Sequence, residues 1–233
     1  MAEQIALNID CMEYMKTLPD KAFDLAIVDP PYGIGFGEFN RTNKDARGNR
    51  YKANKYKNGK WDDAIPDDAY FKELKRVSKN QIVWGGNYFP YLWKNGCKCF
   101  IFWYKGNPVP NFSDGELAWT SFNKVARQFD YRYYGNLEGD SSASEKIHPT
   151  QKPVALYEWL LINYAKPGDR ILDTHLGSGS SRIAAYNLNF DFVGCEIDKD
   201  YYEAQEERFK RHTAQIRLFD IVPEPTAEQM KLI

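Results

Sequence analysis

The sequence predicts an open α/β sheet that holds its ligands at the carboxyl ends of its strands. Three stretches point there. Phe23 to Val28 is a short, almost continuously apolar run that stops at Asp29-Pro30-Pro31-Tyr32. Arg170 to Asp173 is another short run, and it opens into a turn containing Gly177-Ser178-Gly179. Phe190 to Cys195 follows one helical segment later and stops at Glu196. Runs this short and this apolar read as buried strands rather than amphipathic helices. Pro30 and Pro31 cannot continue a central ladder, so Asp29 is delivered at a strand end. That is where open α/β sheets bind their ligands.

The remaining elements follow in chain order. Ile5 to Ile9 reads as a strand, and Cys11 to Leu18 as a short helix with Met12 and Met15 on one side. Asp10 and Glu13 have the spacing of a capping box, which gives Asp10 a structural role before any other. Residues 35–62 read as an inserted basic loop. Arg41, Lys44, Arg47, Arg50, Lys52, Lys55 and Lys57 interleave there with Tyr51 and Tyr56, and Asp45 is the one acid between Arg41 and Lys60. The segment lacks the apolar pattern of a core element, and its one-signed charge beside Asp29 suits an arm that contacts phosphates.

Tyr70, Phe71, Leu74 and Val77 have helical spacing behind Pro66-Asp67-Asp68. Gln81 to Trp84 reads as a strand ending at Gly85-Gly86, Tyr88 to Trp93 as a short helix, and Cys99 to Tyr104 as an aromatic strand. Glu116 to Phe122 and Gln128 to Tyr134 read as further strands. Pro153 fits the first turn of a helix carrying Leu156, Trp159, Leu160 and Tyr164. Ile183, Ala184, Ala185 and Leu188 mark the helix after the Gly turn, and Asp198 caps a last one from Lys199 to His212. Ile216 to Ile221 is a short apolar run.

With 233 residues, the chain suits a single α/β domain over 1–233, carrying inserted loops. The net charge of -1 means that a polyanion must be met by local clusters rather than by overall charge. The four cysteines are scattered without Cys/His spacing for zinc, which predicts reduced thiols, a cytoplasmic setting and no metal. No apolar run is long enough to span a bilayer, so no membrane partner is expected.

The Gly turn belongs to a nucleoside half-site. Gly177 and Gly179 let the backbone approach a ligand, and Glu196 at the next strand end can accept both hydroxyls of a ribose. The dinucleotide fingerprint is incomplete, and the absence of Gly-Lys-Ser/Thr excludes a P-loop. Asp173 at the entrance would repel a pyrophosphate and attract an ammonium. That favours a cofactor with a positive α-amino group, such as S-adenosylmethionine. Thr150 and Lys152 are candidates for its carboxylate. Across the sheet, Asp29 offers an acceptor and Tyr32 a flat face to a planar, amine-bearing group.

Asp29-Pro30-Pro31-Tyr32, the run from His148 to Pro153, and Asp173 with Gly177-Ser178-Gly179 resemble the amino-methyltransferases of DNA. Their order is that of the β class, and the resemblance runs from Ile5 to about Phe219, nearest to adenine enzymes of phages and restriction-modification systems. It implies a Rossmann-like class I methyltransferase sheet of seven strands, circularly permuted so that the N-terminal strand lies beside the one ending at Glu196. It implies that Asp10 meets the cofactor's adenine amino group, and that Cys11, His175, Ser178 and Ile197 line the same pocket, with Asp29 at its edge. It implies transfer of a methyl group to N6 of an adenine flipped out of double-stranded DNA, with Asp29 and the Pro30 carbonyl accepting the two amine N–H bonds and Tyr32 stacking on the base. Residues 35–62 and 123–147 would carry the contacts to DNA, and a homodimer is suggested. Thr174-His175 stands where the family often has Pro-Phe. The same chemistry on cytosine N4, a non-catalytic nucleic-acid binder on this fold, and a nicotinamide oxidoreductase are the alternatives. Asp173 and the incomplete fingerprint disfavour the last.

Overall fold

A computed structural model describes residues 2–35, 62–106, 113–133 and 146–214. The basic residues from Arg41 to Lys57, the Ile216 to Ile221 run, and part of the 123–147 segment lie outside them. The elements in order are β1 (Gln4–Leu7), α1 (Cys11–Lys16), β2 (Phe23–Val28), α2 (Asp68–Val77), β3 (Ser78–Trp84), α3 (Pro90–Trp93), β4 (Phe100–Tyr104) and β5 (Gly115–Thr120). There follow β6 (Arg127–Asp130), α4 (Val154–Tyr164), β7 (Arg170–Asp173), α5 (Ser180–Asn187), β8 (Asp191–Cys195) and α6 (Lys199–Ala214).

The strands form one sheet of eight, in the order β1-β8-β7-β2-β3-β5-β4-β6. The seven strands that the resemblance implies become eight: β6, within the run from Gln128 that reads as a strand, pairs in parallel with β4, with Phe102 opposite Gln128. The permutation is visible in the pairing of the first and last strands, which run parallel with Ile5 opposite Val193. β5 is antiparallel to both of its neighbours.

The continuous apolar run of β2 is explained by burial on both faces. Leu25 and Ile27 enter a core with Trp84, Trp103, Leu156, Leu160 and Ala184, beneath α4 and α5. Ala26 and Val28 enter the opposite core with Met15, Tyr70, Phe71, Leu74 and Leu92, beneath α1, α2 and α3. Successive side chains of a strand point to opposite faces, so both parities must be apolar when both faces are covered.

The topology places the crevice. From β2 the chain crosses through α2 to β3 on one side, while from β7 it crosses through α5 to β8 on the other. β2 and β7 are themselves neighbours, with Leu25 opposite Ile171 and Ala26 opposite Leu172. Helices diverging to opposite faces from adjacent strands open a gap at the carboxyl end of the pair, the switch point of a doubly wound sheet. Among the described residues, no helix is long and apolar enough to cross a membrane.

Candidate active site

Five acids stand along the carboxyl rim. Asp10 follows β1, Glu196 follows β8, Asp173 ends β7, Asp29 follows β2, and Glu116 lies near the start of the antiparallel β5. They divide into two halves at the switch point.

In the first half the acids are held by the backbone of the turns. Asp10 accepts from the amides of Met12 (2.7 Å) and Glu13 (3.2 Å), the cap that its spacing predicts. Glu196 accepts from the Gly177 amide at 2.8 Å and the Asp198 amide at 2.9 Å, so it ties the Gly turn to the end of β8. Asp173 is 1% exposed and accepts from the His175 amide (3.0 Å) and the Ser181 hydroxyl (2.6 Å). Burial pushes its carboxyl up to about 7, and the charges of Asp29 and Glu196 add to the rise. Gly179, at φ +72°, turns the chain into α5; a left-handed position of this kind suits a residue without Cβ.

The wall around Asp173 is polar at Thr174-His175. Thr174 Oγ1 lies 2.6 Å from the Tyr70 hydroxyl and 2.9 Å from His175 Nδ1. Burial lowers the His175 imidazole to about 4, so it is neutral near pH 7. Burial also raises the Cys11 thiol to about 12, with Asp10 contributing. Ser178 is buried, whereas Ile197 is 69% exposed beside Glu196. Thr150 bonds His148 Nδ1 through its hydroxyl at 3.1 Å.

The second half is a packed ionic corner. Asp29 Oδ1 accepts from the Tyr32 hydroxyl at 2.6 Å, and Oδ2 accepts from Lys152 Nζ at 2.5 Å. Lys152, 3% exposed in its side chain, also reaches Glu116 Oε2 at 3.0 Å and the Tyr32 hydroxyl at 3.2 Å. Lys105 pairs with the other oxygen of Glu116. Burial works against ionisation of Glu116, but Lys152 and Lys105 bring it down to about 2. Burial raises the Asp29 carboxyl; Lys152 pulls against that and Glu116 adds to it. Tyr32 stacks on Tyr88, with centroids 5.0 Å apart and planes 15° apart. Its ring lies so close to Gly85 that a Cβ there would stand 2.1 Å from Cε1.

The turn after Pro31 is clasped by a residue that carries no motif. Asp62 is 2% exposed; its carboxylate accepts from the amides of Tyr32 (2.7 Å) and Gly33 (2.9 Å), and its carbonyl accepts from Gly35 at 3.0 Å. The residues flanking the 36–61 segment therefore meet at the Asp29 turn.

Among the described residues, the acids expected from the sequence stand along one rim. Lys152, expected at a cofactor's carboxylate, has its ammonium on Asp29, Glu116 and Tyr32. Glu116, Lys105, Asp62 and Ser181 were not foreseen. A glutamate near the start of a strand and an aspartate at a loop end carry no spacing signal.

A doubly wound sheet with acids and a Gly turn at its switch point defines a Rossmann-like protein of the kind that binds nucleoside cofactors there. Residues 83–207, more than half of the chain, match the sequence model of the N6/N4 DNA methylases, and the chain belongs to that DNA methylase family. It is 26% identical to the type II methyltransferase M.HinfI of Haemophilus influenzae, over 97% of this chain and 75% of the relative. The solved M1.HpyAVI–SAM complex has a similar fold, with a TM-score of 0.58 and 21% identity, covering 89% of this chain and all (100%) of that one. The cytosine-N4-specific PvuII DNA methyltransferase is similar at a TM-score of 0.59 and 14% identity, with 91% of each chain covered.

Proposed function

We propose that the chain transfers a methyl group from S-adenosylmethionine to the exocyclic N6 of an adenine flipped out of double-stranded DNA, as a modification enzyme of the restriction-modification type. The observation that carries it is the delivery of Asp29 and Asp173 at the ends of adjacent strands, one acid beside a lysine and a tyrosine, the other buried.

The first half fits S-adenosylmethionine. A carboxyl raised to about 7 by burial gains most from a cationic partner, and an α-ammonium supplies one. Glu196, just past the end of β8, would accept the ribose hydroxyls, and exposed Ile197 would offer an apolar edge to an adenine ring. Cys11, His175, Gly177, Ser178 and Gly179 form the surrounding wall, and Asp10 reaches the adenine amino group. Thr150 remains a candidate for the carboxylate. When bound, S-adenosylmethionine supplies an electrophilic methyl group on a sulfonium.

The second half prepares the acceptor. The lone pair of an aromatic amine is delocalised into its ring. Asp29 and the Pro30 carbonyl accept the two N–H bonds, favouring a tetrahedral nitrogen and exposing the lone pair. Asp29 is also the nearest base for the proton that the methylated nitrogen must release. Tyr32 fixes the Asp29 carboxylate through its hydroxyl and presents its ring to the base. Positioning and electrostatics supply most of the acceleration.

DNA is met by the basic residues from Arg41 to Lys57, whose segment starts and ends at the Asp62 clasp. The 123–147 segment, which starts on the open edge beside β6, is the second candidate. Neutralising several of the basic residues should flatten the dependence of DNA affinity on salt. Adenine is favoured over cytosine because relatives that carry Ser in place of Asp29 more often act on cytosine. Nucleoside analysis of DNA methylated by the purified enzyme decides it. N6-methyladenine is the expected product; N4-methylcytosine overturns the base assignment while leaving the transfer in place.

A further inference from the structure

Lys152 has three N–H bonds to give and meets three acceptors: Asp29 Oδ2, Glu116 Oε2 and the Tyr32 hydroxyl. Its ammonium is satisfied inside the corner. The charges then form a chain of alternating sign, Lys105, Glu116, Lys152, Asp29, running from the partly exposed Lys105 to the catalytic turn. Glu116 occupies a position in it that no motif marks, on a strand two places along the sheet from β2.

We propose that Glu116 is a positioning residue for methyl transfer: it takes one N–H of Lys152, so that Lys152 is a shared rather than a private counter-ion of Asp29. The inference rests on Asp29 being the acceptor of the target amine. A carboxylate in full possession of a buried ammonium is a poor acceptor for a further N–H and a weak base for the proton that leaves. Sharing the ammonium with Glu116 keeps Asp29 basic. Lys105 sets how strongly Glu116 competes, because it holds the other oxygen of that carboxylate.

The groups facing Asp29 come from several elements. They are Tyr32 on its own turn, Lys152 ahead of α4, Tyr157 on α4, Glu116 on β5 and Asp173 on β7. Removing one charge at a time shifts the balance in opposite directions. With Glu116→Gln, Asp29 loses a like charge and gains more of Lys152, so its titration moves to lower pH. With Lys105→Gln, Glu116 loses the partner of its other oxygen, keeps the charge of Lys146 nearby, and draws Lys152 more strongly, so the titration moves to higher pH.

The test is the single-turnover methylation rate against pH, at saturating S-adenosylmethionine and DNA, for the full chain and both variants. The acid limb is expected to move down for Glu116→Gln and up for Lys105→Gln. The plateau rate of Glu116→Gln should fall by about tenfold or more, with cofactor affinity within about twofold of the parent. Acid limbs that stay in place, or that move in the same direction, overturn the inference. So does a loss of cofactor affinity that matches the loss of rate. If Glu116→Gln does not fold, the sign of the Lys105→Gln shift decides alone. Asp29→Ala separates the two readings: if it abolishes transfer while the limbs do not move, only the role of Glu116 falls.

Discussion

Asp29 and Asp173 end neighbouring parallel strands on either side of the switch point, and the charge of Asp29 is felt at Asp173. Two acids more than a hundred residues apart in the chain thus share one crevice. Their surroundings differ. Asp29 has an ammonium at 2.5 Å, while Asp173 has an amide and a hydroxyl. Asp29→Ala should therefore remove the acceptor without touching the ligands of Asp173. Methyl transfer is expected to fall by roughly a hundredfold or more, with S-adenosylmethionine affinity nearly unchanged by calorimetry. Lys152 keeps Glu116 and Tyr32, so the variant should stay folded. Transfer at the parent rate would sink the assignment of Asp29.

Gly85 sets the place of Tyr32. Its φ of +67° is one that L side chains rarely adopt, and an added Cβ would meet three atoms of the Tyr32 ring within 2.6 Å. The ring is the rigid party, since Tyr88 stacks on it and its hydroxyl is tied to Asp29. Gly85→Ala should cost about 1–3 kcal/mol of stability and push the ring off Asp29. A lowered kcat with unaltered cofactor affinity is expected from steady-state rates; an unchanged kcat would show that the ring does not set the carboxylate.

Asp62 links the Asp29 turn to the segment that follows it. Asp62→Ala leaves the half-buried amide of Tyr32 and the more open one of Gly33 without that acceptor, which should cost roughly 1–2 kcal/mol. Because the same residue closes the neck of the basic segment, KM for DNA should rise and kcat should fall together, with cofactor affinity held. A thermal melt and a DNA titration check both halves. A change in stability alone would make Asp62 a packing residue.

How much of this was readable beforehand depends on the range of the signal. The strand at Phe23–Val28 and the cap at Asp10 are written in a few adjacent residues, so the sequence carries them. The Gly turn and Glu196 are one βαβ unit apart, still within reach of pattern. The corner around Lys152 is different. Its members come from β2, β4, β5 and the approach to α4, and only the sheet order brings them together. Spacing cannot show that Glu116, in an antiparallel strand, comes to the same rim as Asp29. For that reason Lys152 read as a candidate cofactor ligand, and its pairing with Asp29 and Glu116 was not visible in the sequence. The strand at β6 was itself legible in the run from Gln128, but its parallel pairing with β4 is a long-range contact that the run does not announce.

With Asp173 as the proposed partner of the cofactor's α-ammonium, its raised carboxyl predicts that cofactor binding depends on pH with a definite sign. Its ordinary value of 3.8 becomes about 7 in the folded chain, with burial as the main cause. Between those values the folded protein holds a proton that the unfolded chain has lost. Stability of the cofactor-free protein therefore declines as pH rises through that window, since the native state there binds more protons than the unfolded one. An α-ammonium favours the ionised carboxylate, so cofactor affinity should strengthen as pH rises towards about 7, by up to about tenfold per unit below it. It should weaken again above about 8, where the α-amino group itself loses its proton. Calorimetry in buffers of different ionisation enthalpy should find a proton released on binding near pH 6. Asp173→Asn, which keeps the shape but cannot ionise, should bind weakly and lose the rising limb. An affinity that stays flat from pH 5.5 to 7.5 in the parent would mean that Asp173 does not meet the ammonium.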